Sequence, residues 1–149
     1  MFAAGPHRLE AAGQCGVPQV VSVGALDMVN FGAYDTVPAE FSSRNLYKHN
    51  PNVTLMRTTV EENRLLGKKL AEKLNMAKSK TALFLPLGGV SVIDAPGQPF
   101  CGIEEDKALF ETLRENIDIS KVELVELDLP INSPEFALAM ADKLLEYMN

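Results

Sequence analysis

With 149 residues, 46% of them hydrophobic, the chain is of single-domain size and buries roughly two-thirds of the surface its unfolded form exposes, enough for a core without staples. A net charge of −6 with 14 scattered basic residues argues against a surface that binds nucleic acid by neutralising phosphates. No apolar run approaches the ~20 residues that span a bilayer, and no basic stretch followed by an apolar core opens the chain, so the expectation is a soluble, cytoplasmic protein with no membrane partner.

In chain order, Gly5-Pro6 suits a helix start, because proline at the first position loses no hydrogen bond, and Gly16 suits its end. Val17 to Val23 is a short β-branched run closed by Gly24, as in a strand of a parallel sheet covered on both faces. Residues from about Gly24 to Pro51 read as a loop, too long to be a plain connector. Glu61 to Leu74 is the clearest helix: Leu65, Leu66, Leu70 and Leu74 recur at helical spacing and a threonine precedes two glutamates. Thr81 to Leu87 reads as the clearest strand, followed by Gly88-Gly89 and a second long loop to about Ile103. Glu104 to Asn116 returns to helix, Val122 to Leu127 to strand, and Ser133 to Met148 to a final helix with Pro134 in its first turn. Strands alternating with helices predict one α/β domain over 1–149, Rossmann-like, with three α/β/α layers and a mostly parallel sheet. Ligands of such sheets bind at the carboxyl ends of the strands, where both long loops should meet.

The first of those loops carries the most informative segment of the chain, His49 to Thr59, which packs hydrogen-bonding and charged groups where a fold has no structural need for them. Asn50 and Asn52 donate and accept at once, His49 can exchange a proton, and Arg57 offers a rigid fork for carboxylate or phosphate. Thr58 or Thr59 can cap the following helix, whose positive dipole end favours an anion. An Asn/Pro turn ahead of an ordinary helix is the alternative. With Asn30 from the same loop, and Gly88, Gly89 and Ser91 from the second, these residues form the candidate ligand or anion site. A structural Arg57, bridging to Asp27 or Asp94, is the rival reading for that residue.

Asp27, His49 and Asp94 are the candidate catalytic groups, able in principle to move protons or to hold Mg²⁺, although loop carboxylates more often bond to nearby backbone. No spacing of His, Cys, Asp or Glu points to a dedicated metal site. Cys15 and Cys101 stand outside any CxxC pair and read as reduced thiols. Gly88-Gly89 lies in neither a GxGxxG nor a GxxxxGK[ST] pattern, and no Ser sits in a GxSxG elbow, so neither a nucleotide fingerprint nor a nucleophile is legible.

Four segments carry a resemblance: Gly5-Pro6-His7-Arg8-Leu9-Glu10-Ala11-Ala12-Gly13, Val21 to Gly32, His49 to Thr59, and Leu85 to Ser91 with Asp94 to Phe100. Together, and in this order, they resemble the C-terminal half of the Tm-one-like ATP-binding domain family, which includes the N-terminal region of a tomato mosaic virus resistance protein. The resemblance implies the second of two Rossmann-like subdomains, lacking a strand ahead of Gly5-Pro6, with ATP and Mg²⁺ bound mainly by the first. It departs from the pattern at Cys101-Gly102. The expectation is one wall of an ATP or small-anion cleft, completed by the missing N-terminal half or a second copy as a homo-oligomer. Acid–base enzymology on a carboxylate or phosphate, or a protein-interaction module without catalysis, are the alternatives.

Overall fold

In the computed structural model, which describes residues 4–149, a parallel sheet of β1 (Gln19–Ser22), β5 (Thr81–Pro86) and β6 (Val122–Leu127) runs in the order β1-β5-β6. All six residues of β5 are buried, because side chains alternate between two covered faces. Leu83 and Leu85 point to one face, where α2 (Val60–Leu74) and α3 (Ile103–Asn116) bring Leu70, Leu74, Leu109 and Leu113. Ala82 and Phe84 point to the other, where α4 (Pro134–Met148) inserts Phe136 edge-on against Phe84, ring centroids 6.0 Å apart. The result is the expected three-layer, Rossmann-like α/β/α arrangement.

The helices end as their sequences direct. Thr59 caps α2 in a capping box: its hydroxyl accepts from the Glu62 N–H while the Glu62 carboxylate accepts from the Thr59 N–H. Ser133 caps α4 ahead of Pro134. Where the first helix was expected from Pro6, residues 6–9 form a turn and α1 is confined to Ala11–Cys15. Leu9 takes a left-handed φ of 69°, which no α-helix accommodates.

The larger correction concerns residues 24–58. Instead of a loop, they build a second sheet of β2 (Met28–Phe31), β3 (Leu46–Asn50) and β4 (Val53–Arg57), antiparallel and ordered β2-β4-β3, with short 3-10 turns at Tyr34–Thr36 and Ala39–Phe41. The strands are four or five residues long, too short for a period-2 signal to rise above loop composition. Pro51 and Asn52 form the hairpin tip between β3 and β4. The chain therefore leaves the parallel sheet after β1, makes this small sheet, and returns directly from β4 into α2.

Candidate functional site

The two segments that leave β1 and β5 meet at the carboxyl edge of the parallel sheet. The Ala25 N–H donates to the Val90 carbonyl at 2.9 Å, and the Ser91 hydroxyl donates to the Asp27 carboxylate at 2.7 Å. Ala25 turns the chain with a φ of 59°, a costly conformation for a residue with a Cβ. From the end of β4, Arg57 reaches into the same place.

Arg57 is the centre of the cluster. Its Nη2 donates to Asp94 Oδ1 at 3.0 Å, to Asp106 Oδ1 at 2.8 Å and to the Gly102 carbonyl at 3.3 Å. Asp94 uses its other oxygen to accept the Val90 N–H at 2.8 Å. Gly102 is where it is because any Cβ there would overlap the Arg57 guanidinium. Next to Arg57, the Thr58 hydroxyl donates to the Leu26 carbonyl and accepts from the Asn63 side-chain amide, both at 2.8–2.9 Å. Asp27, Arg57, Thr58, Asn63 and Asp94 are all buried.

Asp94 and Asp106 thus share one guanidinium, and desolvation leaves its mark on Asp106 and on Asp27. Desolvation above all, then repulsion from Asp94, pushes Asp106 up to about 7 even though Arg57 opposes the shift. Burial likewise raises Asp27, against the hydrogen bond from Ser91. Among the described residues, Asp27 Oδ1, Arg57 Nε and Asn63 Oδ1 are buried without a hydrogen-bond partner.

Two hollows flank this cluster. The larger, about 370 Å³, lies between Gly88-Gly89 and the start of α3 and is lined by Asp94, Cys101, Asp106, Lys107 and Arg114. The smaller, about 250 Å³, is lined by Arg44, Arg57, Thr59, Gly102 and Glu105. Arg57 faces the second, while its carboxylate partners face the first, so the ion pairs form the partition between the two.

The candidate residues divide into groups. Asp27, Arg57, Thr58, Ser91 and Asp94 come together, and Gly88 and Gly89 border the larger hollow. Arg57 is paired inside the domain, as the rival reading had it. The two glycines have packing reasons to be glycine: a Cβ on Gly88 would stand 2.6 Å from the Pro130 nitrogen, and Gly89 has a φ of 125°. Their N–H groups donate to Leu129 and Pro86 carbonyls, which leaves neither free to cradle a phosphate. Asn30 and His49 are exposed and line a separate hollow of about 300 Å³ on the small sheet, with Ser91 on its rim. Asn50 and Asn52 sit at the hairpin tip, where Asn50 Oδ1 accepts the Asn52 N–H at 2.9 Å, an Asx turn. Asp106 and Asn63 were absent from the candidates. In one dimension Asp106 is the third acid of a helix's first turn, indistinguishable from Glu104 and Glu105 as a complement to the dipole. Among the described residues, no group of three or more His, Cys, Asp or Glu is placed to hold a metal ion. Cys15 and Cys101 are free thiols on the surface.

The profile of the Uncharacterised protein family (UPF0261) C-terminal domain matches residues 1–148. The chain belongs to this family. It is 63% identical to a UPF0261 protein of Clostridium tetani over 97% of the chain and 36% of that protein. It is 47% identical to a Rhizobium meliloti UPF0261 protein over 89% of the chain and 33% of that protein, and 44% identical to the ToMV resistance protein Tm-1(GCR237) of Solanum lycopersicum over 98% of the chain and 20% of that protein. The chain spans about a third of the bacterial relatives and a fifth of the tomato one. The Tm-one-like resemblance and the UPF0261 match therefore name the same group. No helix of the described residues is long and apolar enough to cross a membrane.

Proposed function

We propose that this UPF0261 domain forms one wall of a cleft for a small anionic molecule, with the ligand seated over Gly88-Gly89 at the carboxyl edge of the parallel sheet and the rest of the cleft supplied by a longer protein or a second copy. The observation that carries this reading is the hollow of about 370 Å³ whose floor holds the Asp94 and Asp106 carboxylates and whose α3 wall holds Lys107 and Arg114. In sheets of this type the strand ends are where ligands sit. Lys107 supplies positive charge for a phosphate or carboxylate, and Arg114 adds to it although its Nε already donates to the Glu126 carboxylate at 2.6 Å.

ATP with Mg²⁺ is the ligand that the family resemblance suggests. The fit within this chain is partial, since the Gly88 and Gly89 N–H groups are already donated and Asp94 is already paired with Arg57. One anionic group fits the α3 wall; a full triphosphate needs further donors.

Acid–base chemistry on the bound molecule is the second reading, favoured by Asp106 titrating at about 7 on the floor of the hollow, near the ideal for a proton-transfer group at neutral pH. An interaction module is supported by the apolar stripe of exposed Leu138, Leu145 and Met148 on α4, which also suits a second copy of the chain. The acidic balance suits a partner other than nucleic acid.

A thermal-shift screen of nucleotides and small organic acids, with and without Mg²⁺, tests the cleft. A ligand at ~100 times its dissociation constant adds about 2.7 kcal/mol to stability. Stabilisation by an anion that is lost in Lys107→Ala supports the site, and the absence of stabilisation by every anion sinks it.

A further inference from the structure

We propose that the Arg57–Asp106 pair is a displaceable partition: an oxyanion ligand takes the place of Asp106 on the guanidinium, and Asp106 leaves the pair carrying a proton taken from solvent. This rests on the anion cleft above and adds that anion binding there is coupled to proton uptake.

Three geometric facts carry it. First, the pair stands between two hollows, of about 370 and 250 Å³, with Arg57 on the wall of the smaller and Asp106 on the wall of the larger. Second, the two acceptors on Arg57 Nη2 are unequal. Asp94 is held by a second hydrogen bond from the Val90 N–H and its side chain is fully buried, whereas Asp106 accepts, among the described residues, only from Arg57, lies within hydrogen-bond reach of the Asp94 carboxyl, and has a side chain 16% exposed. The carboxylate that is anchored once and touches solvent is the one that yields. Third, Arg57 Nε is buried and, among the described residues, makes no hydrogen bond, so the guanidinium holds a donor that its present partners leave unused.

The charges around Asp106 set the direction of the proton. From β4 it faces Arg57, and from the loop after β5 it faces Asp94; on its own helix Glu105 and Lys107 flank it, and Arg44 paired to Glu62 closes the far side of the smaller hollow. Asp94 and Asp106 share one guanidinium between them, and a further anion raises the cost of an ionised Asp106. The carboxyl already titrates at about 7 with Arg57 in place; losing that partner moves it higher. A second carboxylate close to Asp94, with its cation removed, takes up a proton.

Sulfate is the probe, because as an oxyanion it does not itself titrate near neutrality. When only the protonated form is competent, apparent affinity scales with the protonated fraction, which falls from about 0.9 at pH 6 to about 0.1 at pH 8 for a group titrating near 7. Sulfate affinity of the full chain, read by calorimetry, is expected to fall about tenfold between pH 6 and pH 8, and Asp106→Asn is expected to bind sulfate with the same affinity at both. Carbon-detected NMR of the wild-type Asp106 carboxyl, which needs no variant to fold, is expected to show its titration midpoint moving upward on saturation with sulfate. Sulfate binding that is flat with pH, or whose pH dependence persists in Asp106→Asn, overturns the coupling while leaving the cleft standing. No sulfate binding by either protein at pH 6 overturns the coupling, and only the nucleotide and organic-acid screen then decides the cleft.

Discussion

Arg57 and Asp106 lie 2.8 Å apart across 49 positions of sequence, the guanidinium at the end of β4 and the carboxylate in the first turn of α3. Together with Asp94, this contact ties the small antiparallel sheet to the parallel one. Arg57 is 6% exposed and the Asp94 side chain 0%, so each charge depends mainly on the other for its neutralisation.

Arg57→Ala is therefore expected to destabilise the fold by about 3–5 kcal/mol, because it leaves Asp94 buried without its cation. A cleft arginine facing only a ligand would leave stability nearly unchanged. Urea unfolding of the two proteins decides: a midpoint shift within error would show that the pair contributes nothing to the fold.

The raised carboxyls predict how stability depends on pH. Asp106 moves from the ordinary aspartate value of 3.8 to about 7, so between these values the native state holds a proton that the unfolded chain has lost. Stability falls as pH rises through that window. Glu62 works in the opposite sense, because the hydrogen bonds from Arg44 hold it below the usual glutamate value, and its contribution is lost as pH falls below about 4.5. Maximum stability is expected at about pH 4 to 4.5, where the two windows meet, and Asp106→Asn should flatten the fall toward pH 7. Unfolding midpoints measured from about pH 3 to 8 check both limbs.

Gly88→Ala is expected to lower stability by about 1–3 kcal/mol, the usual effect of forcing an added carbon into a packed site. The new Cβ would meet backbone, 2.6 Å from the Pro130 nitrogen and 2.7 Å from the Leu129 carbonyl carbon, and backbone cannot swing aside. Gly16→Ala is the comparison: it meets nothing within 4 Å but has a φ of 69°, so it carries only the ~1 kcal/mol conformational cost. Equal melting temperatures for the two variants would contradict the close approach at Gly88.

Association is expected through α4, whose Leu138, Leu145 and Met148 are 62%, 58% and 69% exposed. Light scattering should give a mass above 16.3 kDa that returns to that of a single chain in Leu145→Glu. A mass of one chain at all concentrations would remove the second copy as the partner of this face.

The regular elements that pack on the parallel sheet were legible in the sequence because their burial is periodic. The run from Thr81 is apolar on both faces, the leucines from Leu65 to Leu74 recur at helical spacing, and Thr59 and Ser133 stand where cap geometry needs them. The family was legible too, in the four segments that end at Phe100. What the sequence by itself determined was thus local, since caps, turns and amphipathic stripes depend on neighbours within a few residues. The small sheet needed the tertiary structure: β2, β3 and β4 are held by pairing with one another, and β2 reaches β4 across more than twenty residues of intervening chain. The site needed it for the same reason. His49 and the two hairpin asparagines looked chemically richer than Asp106, yet exposure separates His49, Asn50 and Asn52 from the cluster while the α3 register swings Asp106 onto Arg57. Burial in three dimensions decides which polar groups lose their water and must find each other, and residue type along the chain carries no record of that loss.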